Sequence, residues 1–282
     1  MEKKMKTILK AEKKSVNSIF WQNAFVVVFL CLFFSHPVIA NAGTIYVDKS
    51  YYGEEDGTSE KPYKTIADAL DHAASGDNIH IKKGEYEESF TVKDSIELVG
   101  EDKNNTVIKG SASASSVISL KNNNILSNLT ISGGTNAINA EKKATIVNCI
   151  INNYTKIGIN LVADGSLAII KNNYISGGEK GIYVQKGRKI EITSNNIFNN
   201  GGEGLDIRDR IKGTITKNSI YKNGEGGIEL IIGGSDLTIK NNSIRSNKSS
   251  GIANQFYSSA NKTASFRRIC RIKQAAAFNF VL

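Results

Sequence analysis

The sequence has little proline, cysteine, histidine or tryptophan. Its 282 residues include two Pro, three Cys, three His and one Trp. Three cysteines exclude a dense disulfide scaffold and any all-Cys zinc framework. Long apolar runs are also missing. The longest, Ala24 to Phe34, has eleven residues, against the ~20 that usually span a bilayer. With 40% hydrophobic and 22% charged residues, the chain is neither a disordered acidic tail nor a multi-span membrane protein. Its length allows one or two domains with a sizeable core.

The net charge of +9 would suit a nucleic-acid binder, but its distribution does not. Residues 1–42 carry six Lys and two Glu, and residues 252–282 carry five Lys/Arg and no acid. The body, 43–251, balances 25 basic against 25 acidic residues. Within it, 43–102 is net −9 and 103–251 net +9. A dipolar body is not the clustered cationic groove that phosphates need, so no nucleic-acid partner is expected.

Residues 1–42 read as a signal peptide. Lys3 to Lys14 form a basic leader, followed by the apolar run, Ser35-His36-Pro37 and the small-x-small pattern Ala40-Asn41-Ala42. Cleavage near Gly43 would make the protein secreted or cell-surface. In the rival reading, Ile19 to Phe34 stays as an uncleaved anchor, which is the only membrane contact expected. Cys149 reads as a small buried apolar residue.

An internal repeat runs from Asn124 to Ile252: Ile-x-x-Asn-x-Ile-x-x-Asn, a variable turn, then Gly-Ile-x-apolar. The first Asn column is Asn128, Asn148, Asn173, Asn195, Asn218 and Asn242, at intervals of 20, 25, 22, 23 and 24. The second is Asn153, Gly178, Asn200, Asn223 and Asn247. Gly158-Ile159, Gly181-Ile182, Gly204-Leu205, Gly227-Ile228 and Gly251-Ile252 recur at intervals of 23, 23, 23 and 24. Long 3.6-period stretches are absent. Short alternating runs such as Lys189-Ile190-Glu191-Ile192-Thr193 stand between Asn/Gly turns. Three short strands per repeat, each pairing with its copy one turn on, describe a parallel β-helix. Asn is expected at the bends because it tolerates left-handed backbone and can bond its own turn. Gly before Ile is expected to supply an uncrowded bend. Ile159, Ile182, Leu205 and Ile228 should stack inward, as should Leu161, Val184, Ile207 and Leu230.

These columns resemble the right-handed parallel β-helix repeat family of the pectin-lyase-like superfamily, whose repeats read I-x-x-N-x-I…N…G-I. The expected fold is an all-β, single-stranded right-handed parallel β-helix with a short N-terminal capping helix. Thr65 to Ser75 reads as that helix: Thr65 as N-cap, Asp68 three on, Ile66, Ala69, Leu70 and Ala73 on one face, Gly76 ending it. The run Gly84-Glu85-Tyr86-Glu87-Glu88 looks like the superfamily's N-terminal cap. The expected organisation is cap and first coils over 43–110, regular coils over 111–252, and an atypical tail or cap over 253–282. Roughly eight coils at ~4.8 Å each give a rod ~40 Å long.

The resemblance implies little about activity, since the superfamily holds lyases, hydrolases, epimerases, esterases, adhesins and non-catalytic surface proteins. The polygalacturonase pattern wants paired Asp and a His-Gly, but the chain has no Asp-Asp and no His after His80. The epimerase Asp-Pro-His and the methylesterase Gln-Asp-Thr are also missing. His72 and His80 are expected to be exposed and not to bind metal.

A 23-residue phase predicts surface neighbours. Outward side chains should stack as Asn160, Tyr183, Asp206 and Glu229, with Val162, Gln185, Arg208 and Ile231 beside them, then Asp164, Gly187, Arg210 and Gly233. Tyr183, Gln185, Asp206, Arg208, Arg210 and Glu229 would then form one ligand-binding patch suited to sugars. The bland alternative is a set of solvated surface ion pairs, each worth ~0–1 kcal/mol. Asp206, Arg208 and Glu229 are the catalytic candidates, since two carboxylates on adjacent coils could serve acid/base chemistry. Asp48, Glu54, Glu55 and Asp56 are oxygen ligands of the kind Ca²⁺ takes, but read first as a solvated acidic loop, with no cofactor required. The expectation is a monomeric, exported carbohydrate-binding or scaffolding module. A lyase or glycoside hydrolase acting on acidic polysaccharide and an inert adhesin-like rod are the alternatives.

Overall fold

A computed structural model describes residues 42–162, 166–231 and 236–255. The expected leader up to residue 41, most of the 253–282 tail, and Asp164 and Gly233 lie outside the described residues.

The chain winds as a solenoid whose three faces are parallel sheets of nine, eight and eight strands. The first sheet runs from Thr44–Val47 to Asp236–Lys240, the second from Gly84–Tyr86 to Ser243–Arg245, the third from Phe90–Val92 to Ile252–Gln255. Every strand pairs in parallel with its counterpart one coil away. Ile182, for example, faces Ile159 on one side and Leu205 on the other. Alternation within each strand sets the faces: in Lys189–Thr193, Ile190 and Ile192 are buried while Glu191 is exposed. The two predicted ladders, Ile159-Ile182-Leu205-Ile228 and Leu161-Val184-Ile207-Leu230, are fully buried. Burial contributes roughly 1.5–3 kcal/mol for each such side chain. The last strand continues to Gln255, past the expected end of the repeat.

The Asn columns differ from the sequence reading by one register step in the early coils. Strand pairing aligns Asn128 and Asn148 with Asn172, and places Cys149 opposite Asn173. Asn128, Asn148, Asn172, Ser194, Lys217 and Asn241 form a column with φ between 55 and 58°. The left-handed bend therefore belongs to the residue before the buried Asn. The ladder proper is Asn173, Asn195, Asn218 and Asn242, and it bonds between coils rather than within its own turn. Asn195 Oδ1 accepts the backbone N–H of Asn173 at 2.9 Å, and Asn195 Nδ2 donates to Ile170 O at 2.9 Å. Asn218 and Asn242 repeat the pattern. Cys149 ends the ladder with its backbone N–H on Asn173 Oδ1 at 2.9 Å. Its thiol is fully buried, and burial pushes its pKa up to about 12, leaving it inert.

The second ladder, Asn200, Asn223 and Asn247, follows the same logic. Asn153 falls in its left-handed column, at φ 56°, so the ladder position belongs to Tyr154. The Tyr154 hydroxyl donates to Asn200 Oδ1 at 2.6 Å, passing over Gly178. A Cβ on Gly178 would lie 2.0 Å from the Tyr154 ring. Four of the glycines of the Gly-Ile column, Gly158, Gly181, Gly204 and Gly227, also owe their place to close approach. A Cβ at Gly181 would meet Gly204 O at 2.5 Å, and none of the column has a positive φ.

The capping helix is shorter than expected, Ile66–His72 with Ala73 as C-cap. Thr65 Oγ1 accepts the N–H of Asp68 at 3.0 Å. Glu88 accepts from the N–H groups of Ile66 and Ala67 at 3.0 and 2.9 Å. The carboxylate thus satisfies two helix-start donors, and with Ala73 already extended the helix stops before Gly76.

Gly178→Ala is expected to destabilise the protein by about 1–3 kcal/mol through overpacking against Tyr154. Tyr154→Phe should cost about 1–3 kcal/mol by leaving Asn200 short of a donor. Urea denaturation of both variants checks this, and Gly178→Ala should be milder when Tyr154 is also replaced by Ala.

Candidate functional site

The outer face of the third sheet carries the predicted column. Pairing sets Ser119, Asn139, Asn160, Tyr183, Asp206 and Glu229 side by side on six successive coils. At ~4.8 Å per coil the strip is about 24 Å long. Its upper part is uncharged: Asn160 Nδ2 donates to Asn139 Oδ1 at 3.0 Å.

Its lower part is a charge cluster. Asp206 points outward yet is fully buried, because its neighbours' side chains close over it. Arg208 grips it twice, Nε to Oδ1 and Nη2 to Oδ2, both at 2.9 Å. Lys180 donates to Asp206 Oδ2 and lies 3.0 Å from Glu203 Oε2. Glu229 is 3.9 Å from Arg208 Nη2. The Tyr183 ring flanks both cations, with Arg208 5.6 Å and Lys180 5.9 Å from its centroid. Its hydroxyl donates to Gln185 Oε1 at 3.3 Å. These are not the solvated surface pairs that an exposed sheet would give. Taking ions out of water costs several kcal/mol each unless they are paired and hydrogen-bonded.

Five of the six predicted patch residues come together. Arg210 does not: it lies past the end of the strand Leu205–Arg208, exposed, and the carboxylates are held by Lys180 and Arg208 instead. Lys180, Glu203 and Glu225 were not anticipated. Lys180 and Glu203 each stand one residue before the Gly of the Gly-Ile column, so the same phase applied there would have found them.

The glutamates of the cluster shift one another's ionisation. Burial and a hydrogen bond with Glu203 raise the Glu229 pKa. The hydrogen bond with Glu203, then its charge, raises that of Glu225. Burial pushes the Glu203 pKa up, but its own backbone N–H and Lys180 outweigh that, and it ends lowered. Lys180 is raised because its pairing with Asp206 and Glu203 outweighs burial. The Asp206 bond, the largest influence on Arg208, raises that guanidinium as well.

Glu203, Asp206 and Glu229 bring oxygens within 4.8 Å of one another. A cation there would compete with the Lys180 ammonium and the Arg208 guanidinium, which already neutralise these oxygens. Among the described residues Asp48, Glu54, Glu55 and Asp56 form no such group. Each has its own partner: Asp48 takes Ser50 and Lys82, Glu54 Lys61, Glu55 Lys64, Asp56 Thr58. His72 is exposed as expected, stacked on Tyr63 at 4.8 Å. His80 is half-buried, against the Tyr46 ring at 5.6 Å.

The right-handed β-helix region family model matches residues 105–266, more than half of the chain. The chain belongs to that family. It is 30% identical over 146 residues to the uncharacterized protein YwoF of Bacillus subtilis (strain 168), covering 47% of this chain and 28% of that one. The chain thus spans less than a third of that relative's length. Among solved structures it resembles pectate lyase Pel9A, with TM-score 0.58, 14% identity and coverage of 85% of this chain and 83% of that one. It also resembles pectin methylesterase PemA from Erwinia chrysanthemi, with TM-score 0.52, 16% identity and coverage of 76% and 80%. At these identities the likeness establishes the fold alone.

The raised Glu229 pKa has a signed consequence. The folded chain keeps this proton at a pH where the unfolded chain has released it, so ionised Glu229 costs stability at neutral pH. That cost fades as pH falls through the folded value. Glu229→Gln is therefore expected to raise Tm near pH 7, by about 2–4 °C for each kcal/mol recovered. The gain should vanish below about pH 4, where wild-type Glu229 is itself protonated. Calorimetry across pH checks it.

Proposed function

We propose that this is an exported carbohydrate-binding protein whose glycan lies along the outer strip of the third sheet. The observation that carries the reading is the strip itself. Six hydrogen-bonding side chains stand in one register-fixed line, with the Tyr183 ring at the edge of a locked charge cluster. Amides, hydroxyls and carboxylates spaced by the coil repeat match the donors and acceptors of a sugar chain, and the ion pairs hold them in place before ligand arrives. The family's fold is shared with a pectate lyase and a pectin methylesterase, which supports a carbohydrate ligand. The basic leader, apolar run and Ala40-Asn41-Ala42 support export.

Glycan-array binding of the purified chain, followed by calorimetric titration, tests this. Tyr183→Ala is expected to weaken binding at least ~10-fold, about 1.4 kcal/mol, without lowering the β-sheet circular dichroism signal. Unchanged affinity would remove the strip as the binding face.

One observation favours a second reading, a glycan-cleaving enzyme. Glu203, Asp206 and Glu229 bring their oxygens within 4.8 Å of one another, and in that cluster Glu203 is lowered while Glu225 and Glu229 are raised. Carboxyl groups pushed apart in this way are what a general acid and a general base require. In that case Glu203→Gln abolishes release of sugar products and leaves glycan affinity within a few-fold. Absence of products from wild-type protein across neutral and acidic polysaccharides would leave binding alone.

A further inference from the structure

We propose that two copies of this chain associate antiparallel, second sheet against second sheet. The proposal goes beyond the glycan reading and uses a different face of the solenoid.

Strand pairing sets two outward columns along the eight strands of the second sheet. One runs from Glu85 through Val107, Ile150 and Tyr174 to Ser243. The other runs from Lys109 through Ser132, Ser176, Phe198 and Tyr221 to Arg245. Glu87 continues the first strand past Tyr86 and lies 3.7 Å from Lys109. These columns carry charge only toward their ends. Glu85 and Glu87, both exposed, share Lys109 at one end. From Ile150 onward every outward position is uncharged until Arg245, and exposed Lys217 and Lys222 flank the strand Ser219–Tyr221. The middle is apolar. Tyr174, under Lys103 at 5.2 Å, is 44% exposed, an unusual state for a large hydrophobic side chain in this fold. One coil further on begins the Phe198–Tyr221 stack, with centroids 5.1 Å apart.

A two-fold axis along the strands, midway between Ile150–Asn152 and Tyr174–Ser176, turns this pattern onto itself end for end. Tyr174 then meets the partner's Ile150. Phe198 meets the partner's Ser132, a ring against a small side chain, and Arg245 meets the partner's Glu87. Each contact occurs twice, because such an interface is isologous. Parallel association would instead set the two glutamates against their own copies. The whole body favours the same choice: 43–102 is net −9 and 103–251 net +9, so antiparallel rods bring opposite charges together. Seven coil steps by about five residues give a face of roughly 600 Å² per copy. That falls short of the ~800 Å² of a standard interface. The dimer is therefore reversible rather than obligate, in place of the monomer expected from the sequence.

Sedimentation velocity of the purified chain over a concentration series tests this. We expect a monomer–dimer equilibrium in the micromolar range that salt weakens. Tyr174→Glu should raise the dimer Kd at least ~10-fold. Glu87→Arg and Arg245→Glu should each weaken the dimer, and the two combined should restore Kd to within about threefold of wild type. In one chain these residues stand seven coils apart, ~34 Å, so restoration reports a contact between copies. Circular dichroism checks that each variant folds. Monomer throughout the micromolar range, or a dimer that neither Tyr174→Glu nor the charge exchange alters, would overturn the proposal. A tighter dimer with Glu87→Arg alone, the mark of parallel association, would overturn it too. The wild-type series and Tyr174→Glu decide the matter even if the double variant does not fold. Failure of the glycan reading leaves these outcomes unchanged, since none of these residues belongs to the third-sheet strip.

Discussion

Hydrogen bonding between successive coils is the constraint on which the rest of this structure depends. Each strand finds its partners only one turn before and one turn after itself, so a register set once is handed along the whole solenoid. Because side chains alternate across a strand, a slip of one residue would turn Ile182, Leu205 and Ile228 out to solvent together. The apolar ladders therefore pin the register, and the register places Tyr183 over Asp206 and Asp206 over Glu229. Core and candidate site are two faces of one arrangement.

Bends between sheets test that arrangement most, because the chain turns there and leaves ladder bonding. The buried asparagines answer it. A side-chain amide has both a donor and an acceptor, so one Asn can receive the N–H of its counterpart and still donate to a carbonyl of the preceding coil. A column of such residues satisfies buried backbone at every turn. It must also begin somewhere, and the two beginnings differ. Cys149 supplies only its backbone N–H to the first ladder. Tyr154 reaches across a coil that has glycine at that position and closes the second with its hydroxyl. A gap in the repeat is thus filled by a longer side chain from the coil before.

The solenoid was legible in the sequence because its signals are periodic and redundant. Columns of Gly-Ile and of inward apolar residues agree with one another over five turns, and coil length varies little there. The Asn columns were legible only in part. Asn128 and Asn148 carry the right residue type one position early, since Asn serves both as the left-handed bend and as the buried ladder member. Residue identity alone does not separate those roles; pairing register does. In the site, the period correctly gathered Tyr183, Asp206, Arg208 and Glu229. It said nothing about depth. Asp206 is outward by parity and buried by circumstance, under the long side chains of Lys180 and Arg208. Lys180 and Glu203 lie in the neighbouring column, and a reading focused on residues after the Gly-Ile pair passes over them.

That depth decides what the cluster can be. On an exposed sheet, alternating acids and bases gain little and constrain little. Here one carboxylate is withdrawn from water and held by three separate bonds from two cations. Such an arrangement is weak support for stability, since well-packed apolar residues of similar volume often do as well or better. Elsewhere on the rod plain apolar, Ser and Asn positions hold the same sheet together, with Ser119, Asn139 and Asn160 filling the same column three coils in a row. The scaffold therefore does not need ions at this place. What they provide is rigidity of orientation: a tyrosine, two glutamates and a guanidinium whose positions are fixed before any ligand approaches.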